Sequence, residues 1–179
     1  EEERGKSDRL LLNVLPQPIA ERLRNGEQQI AERFESATVL FADLVDFTRL
    51  SARIQPEALV QMLNQIFSEF DKLVDRLGLE KIKTIGDAYM VVGGVPRHRS
   101  DHAHAVAELA LAMRATLSAM DDQLGEPFTL RIGIHTGPVV AGVIGTRKFI
   151  YDLWGDTVNT ASRMESHGLP EAIQASAQA

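Results

Sequence analysis

The order of apolar periodicities along the chain limits its fold more than any other feature. Thr38, Val39, Leu40, Phe41 and Ala42 form a short β-forming run, read as a buried strand. Over 56–77, Leu59, Leu63, Ile66, Phe67, Phe70, Val74 and Leu77 recur at helical spacing, the core-facing stripe of a long helix that Gly78 is placed to cap. Two strand-like runs, 81–85 and 88–92, flank Gly86-Asp87, a hairpin signal. Ser100 is placed to cap a second helix, along which Ala105, Val106, Leu109, Ala110, Met113 and Leu117 recur. A strand is expected over 128–134 and another over 139–144, parted by a turn at Thr136-Gly137-Pro138. Residues 149–154 read as extended and 157–165 as a helix that Gly168-Leu169-Pro170 ends. Strand, helix, strand, strand, helix, strand is a βαββαβ plan. The fold expected is α+β, a ferredoxin-like core with helices on one face of the sheet and additional C-terminal strand and helix elements. Such a plan hosts many activities and assigns none.

A chain of 179 residues suits one domain with a real core. It has no cysteine, which excludes disulfides, thiolate metal sites and a cysteine nucleophile. A net charge of −6 argues against a nucleic-acid groove, though a few placed cations can still bind a nucleotide. No apolar run approaches the roughly 20 residues of a membrane helix, and the first residues do not resemble a signal peptide. Residues 1–8 are charged and expected to fray. An apolar run at 10–16 and a short helix over 18–24 complete a segment, 1–30, read as a linker or coupling segment ahead of the domain proper, 31–179.

Within this plan, Asp43 ends the first strand and Asp87 sits in the hairpin turn. The first strand of a βαββαβ sheet lies beside that hairpin, so the two carboxylates can meet at one sheet edge. They would repel unless a cation joined them. An all-oxygen set suits Mg²⁺ or Mn²⁺, with phosphate oxygens and water filling the shell. Read alone, either aspartate serves turn chemistry as readily. Asp46 reads as a solvated or capping side chain.

Lys83 stands in a strand interior and Asp152 in an apolar extended segment. A lysine donor and an aspartate acceptor complement the edge of adenine, which offers a ring acceptor and an amine donor. The two residues could equally be paired with each other or lie at the surface. Asn159 and Arg163, four apart, share a helix face, where arginine offers its charged fork to phosphate; a plain wet face is the alternative. Arg131, a cation in a mostly apolar strand, suits a phosphate tail or an outward-facing position. His135 reads as structural, and His98, His102, His104 and His167 form no convincing metal set.

Four blocks then carry a resemblance. Val39-Leu40-Phe41-Ala42-Asp43-Leu44-Val45-Asp46-Phe47-Thr48 resembles the first metal-binding motif of class III nucleotide cyclases. Lys81-Ile82-Lys83-Thr84-Ile85-Gly86-Asp87-Ala88-Tyr89-Met90-Val91-Val92 resembles their hairpin motif. Arg131-Ile132-Gly133-Ile134-His135-Thr136-Gly137 and the stretch from Tyr151 to Glu165 resemble a third and a fourth. The blocks stand in family order across roughly residues 35–168.

The resemblance implies an adenylyl cyclase that converts ATP to 3′,5′-cyclic AMP and pyrophosphate. It assigns Asp43 and Asp87 to two divalent cations, Mg²⁺ or Mn²⁺. It makes Lys83 and Asp152 the adenine-reading pair; guanylyl cyclases typically carry glutamate at the place of Lys83 and cysteine or another small residue at that of Asp152. Asn159 resembles the residue that positions the ribose, Arg163 the one that stabilises the pentavalent phosphorus, and Arg131 a phosphate-contacting arginine on the metal-bearing subunit. Family sites form between two domains, and this chain contains both sets, so the resemblance implies a homodimer with two composite sites. It also implies a cytoplasmic location, alone or as the cytoplasmic part of a larger or membrane-attached protein with an upstream regulatory module. Family catalytic domains continue past the helix near Arg163 with further strands, including a lysine that contacts the terminal phosphates. The sequence stops at Ala179, so the expectation is a catalytic domain lacking those strands. The alternatives are a guanylyl or dual-specificity cyclase, and a non-catalytic nucleotide-binding domain that regulates by dimerising.

Overall fold

The computed structural model describes Gly5 and residues 9–179; the rest of the charged stretch 1–8 lies outside them. Helix α1 (Gln17–Arg24) precedes strand β1 (Ala31–Leu44). Then come α2 (Phe47–Ser51), α3 (Pro56–Arg76), β2 (Glu80–Ile85), β3 (Ala88–Gly93), α4 (His102–Ala119) and α5 (Asp121–Leu124). The chain continues through β4 (Leu130–Ile144), β5 (Ile150–Trp154), α6 (Asp156–Ser166) and β6 (Ile173–Ala175). The sheet runs β2-β3-β1-β4-β5, antiparallel throughout, and β6 adds to β4 in parallel. The expected βαββαβ core is therefore present as β1-α3-β2-β3-α4-β4.

Alternation along the strands divides the core in two. Leu40, Ala42 and Leu44 of β1, Tyr89 and Val91 of β3, and Leu130, Ile132 and Ile134 of β4 meet α3 and α4 on one face. Val39 and Phe41, Met90 and Val92, and Val139 and Ala141 point to the other. Helix α3 buries Ile66, Phe70, Leu73 and Val74, each worth about 2 kcal/mol of transfer free energy. It ends as its sequence dictates. Gly78, at φ 65°, lets its own N–H reach the Asp75 carbonyl and that of Leu79 reach the Val74 carbonyl.

Three local expectations are corrected. Helix α4 starts at His102 rather than behind a Ser100 cap. The residue before it, Asp101, makes no cap because Arg99 holds both of its carboxylate oxygens, at 2.7 and 2.9 Å. His102 turns inward instead, its ring nitrogens meeting Thr38 Oγ1 at 2.6 Å and Ser36 Oγ at 3.1 Å. The second correction concerns the expected turn at Thr136-Gly137-Pro138, which is absent: β4 runs through it as one strand of 15 residues. Proline is tolerated there because the β1–β4 register shifts between Phe34 and Ala37, opposite Pro138, so the missing N–H falls at a bulge. Third, helices cover both faces of the sheet. Ile19 and Ala20 of α1 and Ala161 of α6 are buried in the second core half. The segment expected to be a linker thus contributes Leu15, Ile19, Ala20 and Ile30 to the core.

The same segment walls a cleft that Asp75, Leu79 and Glu80 also line. Burial there, with the Asp75 charge adding to it, pushes the Glu80 carboxyl from its ordinary 4.5 up to about 7. A carboxyl raised on folding binds its proton more tightly in the native state. Its contribution to stability is therefore largest below about pH 4.5 and declines as pH rises to about 7. Glu80→Gln is expected to raise stability at pH 8 by about 2 kcal/mol, allowing for partial exposure, and to leave it unchanged at pH 4. Chemical denaturation of both proteins at the two pH values checks this.

Candidate active site

Asp43 is the penultimate residue of β1 and pairs in register with Ala88 on one side and Arg131 on the other. The β2–β3 turn places Asp87 immediately before Ala88, and Gly86, at φ 59°, supplies the left-handed conformation that the tight turn needs. The two carboxylates therefore meet on the sheet face opposite α3 and α4. Burial pushes Asp87 up to about 7, and hydrogen bonding and charge from Asp43 push in the same direction. Two carboxylates held this way keep a proton between them unless a cation replaces it. Their oxygen-only chemistry fits a hard divalent ion. Among the described residues no group of three or more His, Cys, Asp or Glu side chains converges as a metal set. The rest of any coordination shell therefore falls to backbone, ligand oxygens and water.

Arg131 faces inward, against the outward-facing alternative. Its Nη2 donates to Asp43 Oδ2 at 3.0 Å and its Nε to Glu165 Oε1 at 2.8 Å. Glu165, in the last turn of α6, was not singled out from the sequence, yet its side chain is only 10 % exposed. A signal for it existed. Glu165 stands four residues after Ala161 and eight after Thr157, both buried, so it lies on the inward face of that helix. The helix sits directly on the β4 backbone. A Cβ at Gly133 would fall 2.1 Å from the backbone nitrogen of Glu165, so only glycine permits this approach.

Lys83 and Asp152 come from β2 and β5, the two ends of the five-strand path. The sheet coils enough to join them, Lys83 Nζ donating to Asp152 Oδ2 at 2.6 Å. The other carboxylate oxygen accepts the Leu153 N–H at 2.8 Å, which fixes the aspartate. Of the two readings left open for this pair, mutual pairing is present, on side chains 37 % and 15 % exposed. Asn159 and Arg163 lie exposed on α6. Arg163 Nη2 donates to Thr160 Oγ1 at 3.3 Å and stands 3.8 Å from Asp156. Neither Asn159 nor Arg163 bonds to Asp43 or Asp87. One chain thus presents two separate constellations, the Asp43–Asp87–Arg131–Glu165 cluster and the Lys83–Asp152 pair with the outward face of α6.

Comparison with known proteins places the chain in a family. Residues 30–179 match the family model described as the adenylate and guanylate cyclase catalytic domain. The chain is 53 % identical over 167 residues to an adenylate cyclase of Mycobacterium tuberculosis, covering 93 % of this chain and 38 % of that protein. It is 49 % identical over 175 residues to the guanylate cyclase soluble subunit beta-2 of Rattus norvegicus, covering 97 % of this chain and 26 % of that one. Among solved structures, the catalytic core of a rhodopsin-guanylyl cyclase with converted specificity, in complex with ATPαS, superposes with a TM-score of 0.80 at 41 % identity, over 83 % of this chain and 80 % of the other. The chain spans well under half the length of these curated relatives.

Proposed function

The chain belongs to the adenylate and guanylate cyclase catalytic-domain family, and from that membership we propose that it is an adenylyl cyclase, converting ATP to 3′,5′-cyclic AMP and pyrophosphate as a homodimer. The observation that carries the choice of base is the Lys83–Asp152 pair. Lys83 donates to the ring acceptor of adenine, and Asp152 accepts from its exocyclic amine. Guanine would set its ring N–H against the lysine and its carbonyl against the aspartate. Two such mismatches, at about 1–3 kcal/mol each, favour ATP by roughly 10²–10⁴-fold.

Asp43 and Asp87 are the residues that would hold two divalent cations, Mg²⁺ or Mn²⁺. Such cations supply a lowered pKa at the ribose 3′-hydroxyl and neutralise triphosphate charge. The chain's own part is placement. Asn159 orients the ribose so that the 3′-oxygen attacks the α-phosphorus in line with departing pyrophosphate. Arg163 meets the charge that grows on the α-phosphoryl group, which favours rate over affinity. Arg131 faces the triphosphate beside Asp43. No side chain is assigned as general base.

The homodimer follows from the separation of the two constellations, each needing its complement from a second copy. Ile144, Ile150 and Trp154, exposed near Asp152, offer an apolar surface for that contact. Residues 1–30 serve as the segment that couples this domain, 31–179, to an upstream regulatory module, a reading that exposed Leu10, Leu12 and Val14 support. Among the described residues no helix is long and apolar enough to cross a membrane, and we place the domain in the cytoplasm, alone or as part of a membrane-attached protein.

The test is product formation by purified protein with ATP or GTP, with Mn²⁺ or Mg²⁺, across a range of protein concentration. Metal-dependent cyclic AMP whose specific activity rises with protein concentration is expected. Cyclic GMP from GTP in equal or larger yield would move the assignment to the guanylyl or dual-specificity reading, for which the guanylate cyclase relatives speak. Silence from folded protein with both nucleotides would leave a regulatory dimerisation domain.

A further inference from the structure

Arg131 spends two different nitrogens on two different acids. Nη2 goes to Asp43 at 3.0 Å and Nε to Glu165 at 2.8 Å. A cation drawn to Asp43 and Asp87 competes with Nη2 for the Asp43 carboxylate. If Asp43 were the only anchor, that competition would free a long side chain, already 29 % exposed, to wander into solvent. Glu165 prevents this. Its carboxylate is the more deeply buried of the two, and its helix is locked against the β4 backbone at Gly133. The chain also closes around the stem of the arginine, since a Cβ at Gly168 would lie 3.3 Å from Arg131 Cγ.

We propose that Glu165 is a positioning residue that holds Arg131 by Nε, so that Nη2 exchanges Asp43 for an anionic oxygen of the nucleotide when a cation takes the carboxylate. This rests on the cyclase reading above. It also gives α6 two jobs on opposite faces, since the helix that presents Asn159 and Arg163 outward is anchored inward on the arginine beside the metal-binding aspartates. Without Glu165, Arg131 would lean on Asp43 alone. A cation would then have a harder pair to break and one fewer negative charge to attract it.

The experiment compares wild type, Glu165→Ala and Glu165→Gln, each also in an Arg131→Ala background. Mn²⁺ binding is followed without nucleotide by the electron paramagnetic resonance of the free ion, and KM and kcat are measured with Mn²⁺ and ATP. Glu165→Ala is expected to weaken Mn²⁺ binding and raise KM by about tenfold each, with kcat changed far less. Glu165→Gln, which still accepts from Nε, should restore most of the KM and serves if the alanine variant does not fold. In the Arg131→Ala background the Glu165 substitutions should add less than about twofold to KM. Equal KM penalties with and without Arg131 would overturn the proposal, as would unchanged Mn²⁺ affinity in folded Glu165→Ala or a wild type that takes up no Mn²⁺. If wild type binds Mn²⁺ but makes no cyclic nucleotide, the cyclase reading fails on its own and the Mn²⁺ titration still judges Glu165.

Discussion

Asp43→Ala is expected to lower metal-dependent cyclic AMP formation by at least about a thousandfold while leaving the protein folded. Asp43 pairs through its backbone with Ala88 and Arg131, and alanine keeps both sets of bonds. Its side chain contributes only a charge, shared between Arg131 and Asp87. When that charge goes, Arg131 keeps Glu165, so no buried cation is stranded. Asp87 loses one of the influences that raise it and should titrate closer to an ordinary carboxylate, which carbon-detected NMR of the labelled aspartates can read. Activity and melting temperature measured side by side decide the matter. Full turnover in the variant would remove Asp43 from the metal site, whereas loss of the fold would mean that its role is structural.

Mixing two dead variants should restore activity. Arg163→Ala removes the transition-state charge and is expected to cost about 10²–10³-fold. If sites are composite, a mixed dimer of Asp43→Ala and Arg163→Ala protomers gathers both lesions into one site and leaves the other intact. The expectation rests on Arg163 lying exposed and bonding only near its own helix, away from Asp43 and Asp87. The check is activity of the two variants, differently tagged and co-expressed, in a preparation purified through both tags. No recovery in dimers proven to be mixed would show that each chain builds its site alone.

The sequence announced the scaffold well wherever one physical rule acted alone. The stripe from Leu59 to Leu77 had a single helical solution, and Gly78 a single use. It misled where tertiary context overrode a local signal. Thr136-Gly137-Pro138 has every mark of a turn, yet a bulge in β1, some hundred residues away, lets the strand continue. Ser100 has good capping chemistry, but the helix begins beyond it. Strand β6, three residues long, is too short to carry a pattern. The candidate site divides similarly. Asp43 and Asp87 stood out at a strand end and a hairpin turn, and the β1–β3 register brings them together. Lys83 and Asp152 stood out as charges in extended segments, and the coiling of the sheet joins them from its two ends. Glu165 hid because an acid late in an amphipathic helix looks solvated until the helix is seen seated on Gly133.

The bond between Lys83 and Asp152 occupies the two groups that the proposed reading gives to the base. Each group is the other's resident ligand, at the high effective concentration that a shared fold confers. On the proposed reading, an arriving base must displace this internal occupant, and it can do so only by replacing both halves at once. A base that satisfies the lysine alone leaves the aspartate unmatched, and the occupant returns. Discrimination of this kind operates by eviction rather than by shape. A half-matched nucleotide carries the cost of that displacement uncompensated at the base, whatever its phosphate contacts contribute.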